Sequence, residues 1–200
     1  MPRVTLEQAE LNRDRIEHVS AQLFREMGID RVSVIDLMKA AGLTHGGFYG
    51  HFKSKDELAA IACTRAFDLS RNKWHAQAAQ SRSPTDAIEA IIGRYLSEEN
   101  RDAPGKACPA AMLASDVARV DEDKPVRAAY RAGLDDLLDS LTALQPQSGP
   151  KTRRRRAIAQ LSTMVGALLL ARASGATALS GEILDAARKE MLSDLKEKRP

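Results

Sequence analysis

The chain has 200 residues, a formal net charge of +3, 44% hydrophobic residues and only 4% aromatics. That length suits one moderate domain, or a small one joined to a larger, with apolar residues enough for a sizeable core. The mild charge neither demands nor forbids nucleic acid, and Cys63 and Cys108 form no CxxC pair, which argues against a disulfide framework or zinc site and for a reducing cytoplasm.

Helix boundaries are legible along the chain. The opening "MPRVTLEQAE" has no apolar stretch of the kind a signal peptide needs. Thr5 with Gln8 has the form of a capping box, and Ile16, Val19, Leu23, Phe24 and Met27 recur at helical spacing until Gly28. Ser33 with Asp36 opens a short second helix carrying Ile35, Leu37 and Met38, which Gly42 closes. Thr44 is placed to cap a third helix through Phe52. Ser54 with Glu57 starts a long fourth helix reaching Trp74 or beyond. Ser83-Pro84, with Asp86 in the first turn, begins a helix whose inner face is Ile88, Ile91, Ile92 and Tyr95. "NRDAPGKACP" (100–109) reads as loop, and a shorter helix covers 110–119. Pro125 precedes an apolar-periodic run to Leu144, "QPQSGP" breaks it, and two helices over 152–173 and 181–196 end the chain. The most apolar run, "MVGALLLARA" from Met164, is far shorter than the roughly 20 residues that span a bilayer.

No segment alternates like a strand, so an all-α protein of about nine helices is expected. Short helices precede Ser54 and long ones come after it. This predicts a three-helix head over residues 1–54 on a larger helical bundle over 55–200, joined by the fourth helix.

The segment "LTHGGFYGHFKSKDEL" (43–58) sets three glycines beside aromatics and histidines. At 100° per residue, Phe48 and Phe52 share one face, and His45 falls near Phe52. Gly46 and Gly50, with Gly47 further round, lie opposite, so the outward backbone is nearly bare and can approach another surface closely. Leu37 to Lys55 contains no acid, but holds Lys39, Lys53, Lys55, His45 and His51. Two short helices joined by "AGLT" have the form of a helix-turn-helix, whose second helix enters the major groove of DNA. The same glycines would equally permit tight packing between helices, and spacing alone leaves both readings open.

The run "VSVIDLMKAAGLTHGGFYGHFKSKDEL" closely resembles the helix-turn-helix of the TetR family of bacterial transcriptional regulators, over about the first 60 residues. The resemblance implies a homodimer that holds a palindromic double-stranded DNA operator, usually repressing, until a small-molecule effector in the larger domain releases it. It implies phosphate contacts from Thr44, Tyr49, His51 and Lys55, with Ser33 a further one. Base-reading positions fall on His45 and Gly46, with Lys39 a lesser candidate. His45 stands where Lys is frequent in the family, and Gly50 where an aromatic or His is frequent. Phe48 and Phe52 keep core roles.

Beyond the head, Cys108 before Pro109 is either a reactive thiol at a helix start or a small packed residue, the plainer alternative. Cys63 belongs with the core. Trp74, Tyr95, Met112 and Tyr130 are either core or, with Cys108, the wall of a cavity for an apolar effector. Arg153 to Arg156 point all around a helix and form no single basic face, but suit acids on a neighbouring helix. The last two helices suit a four-helix dimer interface or burial within the monomer. No metal-ligand cluster, phosphate loop or nucleophile motif is visible, so neither an enzyme nor a cofactor is expected. The competing possibility is a helical small-molecule-binding protein whose head packs on a protein partner.

Overall fold

A computed structural model describes residues 5–146 and 148–196, and among these the chain forms ten α-helices, two short 3-10 helices and no strand. The head comprises α1 (Leu6–Met27), α2 (Val34–Ala40) and a 3-10 helix (His45–Gly50). The Thr5 hydroxyl accepts the Gln8 N–H at 3.2 Å, but the Gln8 side chain turns to Asn12, so this cap is one-sided. Gly28 ends α1 at φ +90°, where a side chain would be strained. The box opening α2 is reciprocal: Ser33 Oγ accepts the Asp36 N–H at 3.2 Å, and the Asp36 carboxylate accepts the Ser33 N–H at 3.0 Å.

The body begins with α3 (Lys55–Gln80), whose first turn is capped when Ser54 Oγ accepts the Glu57 N–H at 3.1 Å. It continues through α4 (Pro84–Tyr95), α5 (Glu98–Asp102), a 3-10 turn (Pro104–Lys106), α6 (Pro109–Met112) and α7 (Ala114–Arg119). Three long helices complete it: α8 (Pro125–Leu144), α9 (Pro150–Ala173) and α10 (Ala178–Lys196).

The expected loop at 100–109 is therefore largely helical, and the expected single helix over 110–119 is two. Pro104 and Pro109 each occupy a helix's first positions, which their fixed φ suits and which interrupts whatever precedes them. Between α6 and α7 the chain bends at Leu113, whose side chain is only 2% exposed and anchors the corner in the core.

One buried apolar cluster runs from Ile16, Leu37 and Phe48 in the head through Leu58 and Phe67 of α3 to Ile88, Leu137 and Met164 in the body. The helix α3 is its spine, packed on α1 at one end and on α8 and α4 beyond. Arg154 of α9 pairs with Asp135 and Asp139 of α8 at 2.7 and 2.6 Å, as the arginine run suggests. Leu161, Met164 and Leu168 of α9 are buried, whereas Ile158, Leu169 and Leu170 are exposed, as is Leu179 of α10. No helix among the described residues is long and apolar enough to cross a membrane.

Candidate nucleic-acid interface

The turn of the head is built by hydrogen bonds that only a left-handed residue permits. Gly42 takes φ +70° just past α2. Its N–H donates to the Lys39 carbonyl at 3.0 Å, and the Leu43 N–H donates to the Met38 carbonyl at 2.8 Å. This paired closure is a Schellman motif, which satisfies the last carbonyls of α2 and reverses the chain into Thr44.

Beyond Thr44 the chain winds into a 3-10 helix, not the α-helix through Phe52 that the sequence suggests. Gly47 N–H donates to the Thr44 carbonyl at 3.0 Å, a three-residue step. Such a short piece tolerates the tighter winding. Phe48 and Phe52 are both buried, at 0% and 2% exposure, but His45 is exposed and does not share their side. A Cβ added at Gly46 or Gly50 would meet nothing within 4 Å, so the bare strip faces open space. Gly47 instead lies over Met38 Cε at 3.6 Å and belongs to the packing between α2 and this helix.

Thr44, His45, Gly46, Tyr49 and Lys39 are all exposed on the head. The Thr44 hydroxyl makes no capping bond. Tyr49 is 68% exposed and is held by its ring edge against Phe48, centroids 5.2 Å apart at 90°. The others are more committed. Ser33 Oγ donates to the Asp36 carboxylate at 2.6 Å, so a phosphate would have to open the cap to receive that proton. Its hydrogen bonds also hold the Asp36 carboxyl below its ordinary value. Lys55, half-buried, reaches the Asp30 carbonyl at 3.5 Å, a long contact that a stronger acceptor would displace. His51 is half-buried with its ring 6.3 Å from Phe52.

Arg13 is the residue missed in the sequence. Its guanidinium lies 4.4 Å above the Phe52 ring and donates to the His51 carbonyl, locking α1 against the end of the 3-10 helix. A lone arginine on the polar side of an amphipathic helix carries no sequence signal for a contact across the head. Arg15 adds a weaker bond to the Ala41 carbonyl at 3.4 Å.

In the body, Trp74, Tyr95 and Cys108 do line one cavity, of about 490 Å³. Met112 and Tyr130 do not: Met112 packs against the core, and the Tyr130 hydroxyl donates to the Ala110 carbonyl at 2.7 Å while its ring meets Phe67 edge-on. Lys73, Arg94 and Lys106 line the same cavity, so its wall is not the apolar one the aromatics suggest. Cys108 is buried, and burial pushes its thiol above the ordinary value despite Tyr95 and the Ala110 and Ala111 backbone beside it. The depressed pKa of a reactive helix-start thiol is absent; α6 has only four residues, too few to build much dipole.

The sequence model of bacterial regulatory proteins of the tetR family matches residues 16–61, from the middle of α1 into α3. The HTH-type transcriptional regulator AcrR of Shigella flexneri is 40% identical over 58 residues, 29% of this chain and 27% of that protein. The match to that relative thus spans about a quarter of its length. A TetR-family transcriptional regulator from Agrobacterium tumefaciens superposes with a TM-score of 0.77 at 24% identity, over 93% of this chain and 98% of that one. The reduced form of Escherichia coli NemR superposes with a TM-score of 0.76 at 20% identity, over 93% and 95%. Sequence likeness is concentrated in the head, and likeness of fold extends over nearly the whole chain.

Proposed function

We propose, from the match of the head to the tetR family model and the likeness of the whole fold to TetR-family structures, that the chain is a TetR-family homodimeric, cytoplasmic transcriptional repressor, not an enzyme. Two heads (residues 1–54) would sit in successive major grooves of a palindromic operator, about 34 Å apart. The bodies (55–200) would pair and hold the effector. The observation that carries this is the open strip of Gly46 and Gly50, flanked by exposed Thr44, His45 and Tyr49. A backbone with no side chain in the way can lie against base edges, while hydroxyls and cations around it take phosphates.

In the same proposal, Thr44, Tyr49, His51 and Lys55 position the head on phosphates, Ser33 joins them if its cap opens, and His45, Gly46 and Lys39 face the bases. The exposed Leu169 and Leu170 of α9, with Leu179 of α10, supply an apolar face for the partner copy. An effector that binds better to the wrong head spacing would shift the population and release the operator.

The test is selection of bound duplexes from a random library, followed by titration of the best palindrome at rising salt. Affinity is expected to fall steeply with salt, as phosphate neutralisation requires. Lys55→Ala should weaken all duplexes alike, whereas His45→Ala should change which bases are preferred. Recovery of no preferred duplex would end the proposal.

A further inference from the structure

The body cavity has walls of two kinds. Trp74, Ile91 and Tyr95 give it apolar surface, the two rings 6.5 Å apart at 57°. Around them, at the solvent-exposed mouth, stand three cations, Lys73, Arg94 and Lys106, against one carboxylate, Glu99. Lys73 Nζ donates to the Lys106 carbonyl at 3.2 Å, not to an acid. Partial burial, and after it the nearby Arg25 and Arg94 charges, hold its ammonium below the ordinary lysine value, although the residue keeps contact with solvent. Glu99 lies exposed in the first turn of α5, where its own backbone N–H and Ser97 hold its carboxyl low, so its charge is already satisfied there.

Two buried polar atoms in this wall also lack hydrogen-bond partners among the described residues: the Tyr95 hydroxyl and Gln77 Oε1. Tyr95 is 4% exposed, and the Cys108 thiol beside its hydroxyl is a weak acceptor. The Gln77 amide nitrogen is turned away to the Ala90 carbonyl at 3.4 Å. A buried polar atom left unmet costs roughly as much as a lost hydrogen bond.

We propose that this cavity binds a small organic anion with a flat apolar body, its carboxylate or similar group against Lys73, Arg94 and Lys106, and its body against Trp74 and Tyr95. This rests on the ligand-responsive reading of the protein and names the chemical class of the effector. A neutral apolar molecule would dehydrate the cations without pairing them, and a cation would be repelled. An inorganic anion would leave the rings uncovered. The wall adjoins the head: Arg25 of α1 donates to the Ala107 carbonyl at 2.9 Å, between Lys106 and Cys108.

Trp74 is the only tryptophan, so its fluorescence in the full chain reports occupancy directly. The probes are 2-naphthoate and the uncharged 2-naphthamide, which share one ring system. Saturable quenching by naphthoate is expected, with the amide at least roughly tenfold weaker, as loss of charge-assisted hydrogen bonds implies. Lys73→Gln with Arg94→Gln should cost naphthoate about tenfold and leave the amide unchanged; Lys106→Gln alone serves the same comparison if the double variant unfolds. Equal binding of both probes, indifference of naphthoate to these substitutions, or no saturable quenching would each overturn the proposal. None of these outcomes touches DNA selection by the head, so a failure here is distinguishable from a failure of the regulator reading.

Discussion

The Asp116 carboxylate of α7 accepts the Ile29 backbone N–H at 2.8 Å, tying the chain that leaves α1 to the body. A Cβ at Gly28 would lie 3.0 Å from that same carboxylate oxygen, so the glycine serves both the turn and the contact. Further along, Gly105 presses on α1 so closely that a Cβ there would lie 2.2 Å from Glu26 Oε1 and 2.6 Å from Gln22 Cγ. The end of α1 is thus gripped by the segment that also walls the body cavity.

Removing the Asp116 acceptor tests that grip. Asp116→Ala leaves the part-buried Ile29 N–H unmet and should cost about 1–3 kcal/mol in urea unfolding. Asp116→Asn keeps an oxygen at the same place and should lose clearly less. If the alanine variant is as stable as the parent, water is satisfying the N–H and the tie is unimportant.

The glycine strip separates stability from binding. A Cβ at Gly46 or Gly50 meets nothing within 4 Å, and neither residue has positive φ. Gly46→Ala and Gly50→Ala should therefore be neutral or stabilise by up to about 1 kcal/mol, through the unfolded chain. Gly46→Leu should also fold normally, yet reduce operator affinity more than about tenfold, since bulk at that point keeps the backbone from the groove. Thermal melts and duplex titrations give the two readouts, and a Gly46→Leu protein with full affinity would place the DNA face elsewhere.

Packing of α3 on α8 depends on a different glycine. At Gly133 a Cβ would lie 2.2 Å from Phe67 Cγ and 2.4 Å from its Cδ2. Both residues are buried, and Phe67 is also held edge-on to Tyr130 at 5.3 Å. Gly133→Ala should destabilise by about 1–3 kcal/mol through overpacking. Adding Phe67→Leu should recover part of that loss, a non-additivity visible in a double-mutant cycle. Strictly additive effects would mean that α8 simply moves away.

Most helix ends could be read from the sequence because their signals are local: Thr5, Ser33, Ser54 and Ser83 each accept the N–H three residues on, although only Ser33 with Asp36 forms the reciprocal box. The 3-10 winding of His45–Gly50 was not legible, since its repeat of exposed glycines fits either winding over so few residues. The helices between Glu98 and Arg119 were obscured by Pro104 and Pro109, which mark breaks and starts alike. Trp74, Tyr95 and Cys108 come together as their residue types suggest, but Lys73, Arg94 and Lys106 join them from three elements. No periodicity announces cations that meet only in space. Tyr130 went the other way: its aromatic character suggests a cavity wall, yet its hydroxyl is spent on the Ala110 carbonyl.

The buried thiols give the protein an alkaline limit. Cys63 is 1% exposed, and burial raises it from an ordinary 9.0 to about 12; Cys108 is shifted the same way. A thiol neutral in the fold but ionised when unfolded keeps more protons in the native state above pH 9. Its contribution is therefore fully present below about pH 9 and is lost as pH rises from 9 towards 12, at a slope approaching 1.4 kcal/mol per pH unit for one such group. Urea titrations at pH 8, 9 and 10 should show stability level and then falling. Cys63→Ala will lose some stability at every pH through lost packing, so slopes are the quantity to compare, and the variant's decline above pH 9 should be shallower. Consistent with the same burial, iodoacetamide at pH 8 should not label Cys63 until urea opens the core. Parallel declines for parent and variant would show that the Cys63 thiol ionises as easily in the fold as outside it.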